Sequence, residues 1–162
     1  MKEVTIYSDG SSRGNPGPGG YGTIIVYVDE NGVRHEKEMS CGYLNTTNNR
    51  MELLGAIRGL EELRYPCICH MVTDSKYVTD PFNQNWIEGW QKKNWRGASG
   101  PVKNTDLWKR LLKAMQPHTV SWQWVKGHAG HPENERCDAL AVAAALSGDL
   151  SVDEGMIVQH LS

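Results

Sequence analysis

The sequence has little of several features that mark large classes of protein. It has 162 residues with a single phenylalanine, and no apolar run is long enough to cross a bilayer. Its first residues lead directly into a strand pattern and do not resemble a signal peptide. The formal net charge is only -2, so any attraction to nucleic acid would need a local basic patch. Because no apolar run could cross a bilayer, we expect no membrane partner.

Cysteine is also scarce and unevenly spaced. Cys41, Cys67, Cys69 and Cys137 are too few and too irregular for a disulfide framework. The run from Cys67 to His70 leaves a metal site open, but zinc sites use wider cysteine spacings and a second half that is missing here. We therefore expect buried, reduced thiols and a cytoplasmic location.

The rest of the composition is typical of one globular domain. The chain is 39% hydrophobic and 22% charged, and its length is enough for a substantial core. No repeat or low-complexity segment divides it. We predict a single catalytic domain over residues 1–147 and a C-terminal tail over 148–162 that is disordered or packed as an extension.

Hydrophobic periodicity predicts an α/β fold. Residues 4–12, 21–29 and 33–41 read as strands, and Asn31-Gly32 is a hairpin signal, so these strands form an antiparallel meander. A strand reached through a crossover helix favours parallel pairing. The later predicted elements are a helix over 47–63, a strand over 67–73, a helix that follows the capping residues 74–75, a helix over 104–115, a strand over 119–125 and a helix over 132–146.

Four acidic residues stand in settings that do not suit a charge. Asp9 lies within the first strand where a buried side chain is expected, although Asp9-Gly10 could instead be a hairpin turn. Glu52 borders the apolar stripe of its helix, or is a rim glutamate. Asp74 ends a strand, where ligands gather in α/β sheets, or caps the next helix. Asp138 is placed well inside the apolar face of the last predicted helix.

Convergence of these four acids would need compensating positive charge. Clustered carboxylates are stabilised by protonation or by cations, and hard divalent ions prefer oxygen ligands. Two such ions roughly 3.5–4 Å apart can activate a water and stabilise a leaving oxyanion in phosphodiester hydrolysis. The acids therefore predict metal-dependent phosphoryl chemistry.

Two further stretches carry candidate functional residues. The glycine-flanked loop over 126–131 contains His128, which suits proton transfer, or is an exposed histidine with no role. Tryptophans and basic residues alternate over 82–108, which indicates a surface for bases, sugars and phosphates. The alternative is an amphipathic helix whose tryptophans, such as Trp86 and Trp90, pack inward.

Taken together, these motifs resemble type 1 ribonuclease H, the bacterial ribonuclease HI, over nearly the whole chain. The matching stretches are residues 7–11, 46–53, 73–75, 125–131 and 134–138. The resemblance implies a ribonuclease H-like fold, with a five-stranded mixed sheet of three antiparallel then two parallel strands and helices on both faces. It also implies an endonuclease that hydrolyses the RNA strand of an RNA–DNA hybrid by two-metal-ion chemistry and leaves 3′-hydroxyl and 5′-phosphate ends. We expect this protein to act as a monomer.

The resemblance assigns roles residue by residue. Asp9, Glu52, Asp74 and Asp138 would bind two Mg²⁺ ions, with Mn²⁺ as a substitute, and His128 would assist proton transfer or product release. The implied contacts to the minor groove of the hybrid are Gly10, Ser11, Asn15, Asn48 and Asn49. The implied contacts to the DNA strand are Thr47 and Asn104 at a phosphate, and Tyr77, Trp86, Trp90, Lys92 and Lys93 at and around a basic protrusion over about 82–103.

Two other functions fit the same motifs. The fold hosts several phosphoryl-transfer activities, so a DNA nuclease or resolvase is one alternative. A non-catalytic hybrid-binding module is another, although four clustered negative charges give a phosphate binder no benefit. The chain departs from the family it resembles at Asn45, where relatives often have arginine, and Gln91 interrupts the basic cluster. These departures imply fewer phosphate contacts and a shallower salt dependence.

Overall fold

The structure is a computed structural model that describes residues 1–161, with the side chains of residues 1–157. Its elements run from a three-stranded beginning to alternating helices and strands. In chain order they are β1 (Lys2–Ser12), β2 (Gly17–Val28), β3 (Arg34–Thr46), α1 (Asn48–Glu61), β4 (Cys67–Thr73), α2 (Lys76–Asn83), α3 (Trp86–Lys92), β5 (Arg96–Gly97), β6 (Gly100–Pro101), α4 (Thr105–Met115), β7 (Thr119–Trp124), α5 (Pro132–Leu146), β8 (Leu150–Ser151) and α6 (Glu154–Leu161).

The main sheet has the strand order β7-β4-β1-β2-β3-β8. β2 pairs antiparallel with both β1 and β3, whereas β4 pairs parallel with both β1 and β7. This confirms the predicted mixed sheet of three antiparallel then two parallel strands. The predicted count of five was one too low, because the two-residue strand β8 pairs with β3 and is too short to produce a periodic pattern.

Helices cover both faces of the sheet, as predicted. On one face, Leu53 and Ile57 of α1 pack with Ile6 of β1 in the main core, which also contains Trp108 of α4. On the other face, Cys137 of α5 packs on the inward side chains of β2. Alternate residues of β2 therefore serve two separate apolar layers, and β1 lies at the centre of the sheet with its end between α1 and α5.

The segment after residue 147 contacts the main body of the domain. β8 extends the sheet, Met156 of α6 is buried, and Asp153 pairs with the buried Arg50 of α1. Ser162, the last residue of the predicted tail, lies outside the described residues. None of the helices within the described part of the chain combines the length and apolar character that a bilayer crossing needs.

Candidate active site

Three carboxylates from three separate parts of the chain meet at the end of β1. Asp9 comes from β1, Glu52 from α1 and Asp74 from the residue that follows β4, and one oxygen of each lies within 4.8 Å of the others. Asp9 and Glu52 are buried, and Asp74 is half-buried. The antiparallel and parallel parts of the sheet join at β1, so this group lies where α/β folds place their ligands.

Gly10 allows α1 to approach β1 closely enough to bring Glu52 into this group. A Cβ at position 10 would lie 2.4 Å from the backbone nitrogen of Glu52, so no other residue fits without displacing the helix. The backbone N–H of Gly10 donates to Oδ1 of Asp9 and to Oε1 of Glu52, both at 2.9 Å. This N–H, predicted to lie near the minor groove, is thus used to hold two of the carboxylates.

The buried carboxylates are poorly suited to carry charge without a partner. Burial raises the pKa of Asp9 to about 7, and the neighbouring charge of Asp74 adds to the effect. Burial and the charge of Asp9 raise the pKa of Glu52 well above its usual range. Oε2 of Glu52 has no hydrogen-bond partner among the described residues. An all-oxygen donor set with surplus negative charge and a free buried oxygen fits a hard divalent cation.

Asp138 faces the same site from α5. It lines one small cleft with Asp9, Asp74 and His128, and it also lines a more open cleft of about 310 Å³ with Glu52. It is not part of the group of three. The prediction that Asp138 lies well inside an apolar face was wrong, because it is half-buried at the edge of that face. The buried side chains of α5 are Asn134, Cys137, Ala141 and Ala145.

The loop between β7 and α5 brings His128 to the carboxylates. His128 has a left-handed backbone with φ of +55°. The neighbouring Gly127 lies against Asp74, since a Cβ there would come within 2.7 Å of Oδ2 of that residue. His128 lines the small cleft together with Asp9, Asp74 and Asp138. Four further residues that the sequence did not single out also line it: Lys126, His131, Asn134 and Glu135. The available signal for Asn134 was its position one helical turn before Asp138.

The predicted minor-groove residues lie around the open cleft in part. Gly10, Ser11 and Asn48 line it, and Oδ1 of Asn15 accepts the backbone N–H of Asn48 at 3.1 Å. Asn49 is exposed in the first turn of α1 and lines neither the open cleft nor the small cleft beside His128. Thr47 is the N-cap of α1, where its hydroxyl accepts the backbone N–H of Arg50 at 3.2 Å.

A third and larger cleft of about 1020 Å³ lies between α2 and the segment that follows it. Tyr77, Trp86, Trp90 and Lys93 line this cleft with other basic residues. Lys92 does not line it and instead pairs with Glu88 on the exposed side of α3 at 3.0 Å.

The tryptophans of this region divide between surface and core. Trp86 is 44% exposed, whereas Trp108 is fully buried and meets the ring of Trp90 edge-on at 5.5 Å. Inward packing therefore holds for Trp108 and in part for Trp90, whereas Trp86 stays at the surface, and a nucleic-acid role of that surface stays a prediction. Asn104 is buried and donates to the hydroxyl of Tyr77 at 2.9 Å, so the wall of the cleft is fixed to the core.

The metal-free protein is expected to lose stability as the pH rises from about 4 to about 7. The folded Asp9, with its pKa raised to about 7, holds its proton up to that pH, whereas the unfolded carboxyl loses it near its ordinary pKa of 3.8, so the folded state binds more protons in this interval. Glu52 acts in the same direction. Because one pKa unit corresponds to about 1.4 kcal/mol, the free energy of unfolding should fall by a few kcal/mol. Urea titrations in EDTA at several pH values measure this.

Two controls make the pH dependence specific to the carboxylate group. Glu52→Gln should flatten the curve, and excess Mg²⁺ should do the same for the unmodified protein. Ion-paired acids such as Glu61 and Asp106 have a lowered pKa and act in the opposite direction, but only below about pH 4.5. A free energy of unfolding that rises between pH 5 and pH 7 in EDTA would contradict the assignment.

Comparison with known proteins identifies close relatives. The RNase H family model matches residues 1–146. Ribonuclease H of Lachnoclostridium phytofermentans is 60% identical over 153 residues, which cover 93% of this chain and 97% of that protein. Ribonuclease H of Tolumonas auensis is 53% identical over 156 residues, which cover 96% of this chain and 97% of that protein.

Solved structures agree with these sequence relatives. The crystal structure of LC9-RNase H1, a type 1 RNase H with the type 2 active-site motif, has a TM-score of 0.80 at 33% identity and covers 98% of this chain and 81% of that one. LC11-RNase H1 in complex with an RNA/DNA hybrid has a TM-score of 0.63 at 22% identity, with 88% and 96% covered, and shares the fold. With the family pattern running from residue 1 to residue 146, and with relatives more than half identical along almost their entire length, this chain belongs to the ribonuclease H family.

Proposed function

We propose that this protein hydrolyses the RNA strand of RNA–DNA hybrids with two Mg²⁺ ions and leaves 3′-hydroxyl and 5′-phosphate ends. The observation that carries the proposal is the group of Asp9, Glu52 and Asp74, whose oxygens lie within 4.8 Å of one another at the floor of an open cleft. Buried acids with raised pKa values lower the stability of the fold, so their presence together indicates a functional requirement. Membership of the ribonuclease H family supplies the reaction class.

The four acids have distinct places around the proposed ions. Asp9, Glu52 and Asp74 would hold them from the buried side, and Asp138 would approach from the half-buried edge of α5. When bound, the ions activate water and stabilise charge on the leaving oxygen, and Mn²⁺ is an acceptable substitute because it also prefers oxygen ligands. His128 lines the cleft with Asp9, Asp74 and Asp138, so it can carry a proton to or from the reacting groups.

The open cleft of about 310 Å³ and the larger cleft of about 1020 Å³ would each take one strand of the hybrid. Ser11 and Asn48 line the cleft beside the acids and offer hydrogen bonds to the 2′-hydroxyls that distinguish RNA from DNA. The larger cleft presents Trp86 and Trp90 to the sugars of the DNA strand, with Lys93 for its phosphates. An arrangement with a ribose-reading side and a DNA-strand side favours a hybrid over either duplex.

We further propose that the enzyme acts as a monomer in the cytoplasm. All of the candidate catalytic side chains come from one chain. Cys67, Cys69 and Cys137 are buried free thiols, which are typical of proteins kept in a reducing compartment.

A cleavage assay with matched substrates tests the proposal. The protein with Mg²⁺ is expected to cut the RNA strand of a hybrid and to leave duplex DNA and duplex RNA of the same sequence intact. Product ends are checked by ligation and by phosphatase sensitivity. Cutting of duplex DNA at a comparable rate would favour the nuclease or resolvase alternative.

A further inference from the structure

Asn134 is a buried amide without a partner at the edge of the active site. Its residue is 9% exposed, and neither Nδ2 nor Oδ1 forms a hydrogen bond with any described residue. Buried polar groups in proteins are almost always hydrogen-bonded, and an unsatisfied one costs stability. An asparagine kept in this state requires an explanation other than packing.

The surroundings of the amide indicate what it is for. Asn134 lies in the first turn of α5, one helical turn before Asp138, and both residues line the small cleft that also contains Asp9, Asp74 and His128. Four carboxylates border this cleft, yet the amide donates to none of them. Its hydrogen-bonding capacity is therefore not used to orient protein groups in the metal-free state.

We propose that Asn134 is a positioning residue for the hydration shell of the divalent cation held beside Asp138. The inference rests on the proposed metal-dependent function. Mg²⁺ loses its waters reluctantly and usually keeps several of them in protein sites. These polarised waters are hydrogen-bond donors, so they need acceptors, and carboxylate ligands already occupied by the ion cannot supply them all. Oδ1 of Asn134 is a neutral acceptor at the edge of the carboxylate group.

Calorimetric titration of Mg²⁺ into metal-free protein tests the inference without relying on activity. Asn134→Leu should weaken Mg²⁺ binding by about 10-fold to 100-fold, as expected for loss of a group that orients a metal site. Asn134→Asp should keep Mg²⁺ binding at least as tight, because a carboxylate oxygen still accepts from the hydration shell. The second expectation separates an acceptor role from a purely steric one.

Thr79→Val is the matched control. Thr79 of α2 is fully buried and its hydroxyl also lacks a partner among the described residues, but it lines none of the clefts at the carboxylates. Thr79→Val should bind Mg²⁺ like the unmodified protein. In EDTA, both Asn134→Leu and Thr79→Val should melt no lower than the unmodified protein, because each removes a buried unsatisfied polar group.

Two results would overturn the inference. One is unchanged Mg²⁺ affinity in a folded Asn134→Leu protein, and the other is an equal loss in Asn134→Leu and Asn134→Asp. If Asn134→Leu does not fold, Asn134→Ala replaces it with the same expectations. Hybrid cleavage by the unmodified protein is measured in parallel. Its failure would reject the proposed function, whereas the Mg²⁺ titrations judge Asn134 independently.

Discussion

Asparagine in place of Asp9 is expected to lower the rate of hybrid cleavage by at least about a thousandfold while the protein stays folded and still binds the hybrid. The substitution keeps the size of the side chain and removes one of the negative charges that would hold the ions. Metal ions at such sites contribute several kcal/mol of transition-state stabilisation, and each 1.36 kcal/mol is a factor of ten in rate. Single-turnover cleavage with saturating protein measures the loss directly.

The same substitution should stabilise the metal-free protein at neutral pH. Burial disfavours the charged form of Asp9, whose pKa is raised to about 7, and asparagine removes that cost. Melting in EDTA at pH 8 should therefore occur at a higher temperature in Asp9→Asn than in the unmodified protein. Loss of activity combined with gain of stability is typical of a functional group rather than a structural one.

Asp149→Asn is the control for removal of an acidic charge. Asp149 is exposed and lies away from the carboxylate group, so its replacement should leave cleavage unchanged. Hybrid binding by Asp9→Asn, Asp149→Asn and the unmodified protein is compared in Ca²⁺. If the unmodified protein bound the hybrid in Mg²⁺ without cutting it, the alternative of a non-catalytic binding module would be correct. Residual activity above a tenth in Asp9→Asn would reject the assigned role of Asp9.

The sheet and its order were predictable because each strand carries a local signal. Residues of β1 alternate in the period of a strand, and the turn at Asn31-Gly32 fixes the antiparallel start. Asp9 and Glu52 stand out in the sequence because a charge in an apolar pattern is rare, and both are buried in the structure. Their convergence with Asp74 depends on the crossover that makes β4 parallel to β1, which is a topological inference from few elements.

Other features of the structure leave little local trace in the sequence. β8 has only two residues, so no periodicity exists to detect. The position of Asn134 one helical turn before Asp138 places it near the site but does not show that its amide is buried, because that burial depends on how α5 packs. The position of Asp138 at the edge of the buried face follows from how α5 rests on β2, which a helical projection does not give.

Arg50 shows the same limit, because its partners lie far along the chain. Its guanidinium makes paired hydrogen bonds with Asp106 at 2.7 and 2.9 Å and with Asp153 at 2.8 and 3.0 Å. The side chain of Arg50 is 1% exposed and that of Asp153 is 8% exposed. One buried cation thus joins α1 to α4 and to the segment after α5, two residues from Glu52.

Replacement of Arg50 by methionine is expected to destabilise the protein by about 3–5 kcal/mol, because the buried carboxylate of Asp153 would lose its compensating charge. For a chain of this length the melting temperature should fall by roughly 6–20 °C. Lys37→Met, which breaks an exposed pair with Glu62, is the matched control and should cost less than about 1 kcal/mol. Urea unfolding at neutral pH measures the loss of unfolding free energy in both variants.

A double variant distinguishes a lost ion pair from lost packing. If the cost arises from the unpaired carboxylate of Asp153, then Asp153→Asn in the Arg50→Met background should recover a large part of the lost stability. Thr46 would still donate to the amide oxygen that replaces the carboxylate oxygen it now contacts at 2.7 Å. Equal stability of the single and double variants would mean that Arg50 acts mainly through its packed side chain. A loss below about 1 kcal/mol in Arg50→Met itself would show that the segment after α5 contributes little to the fold.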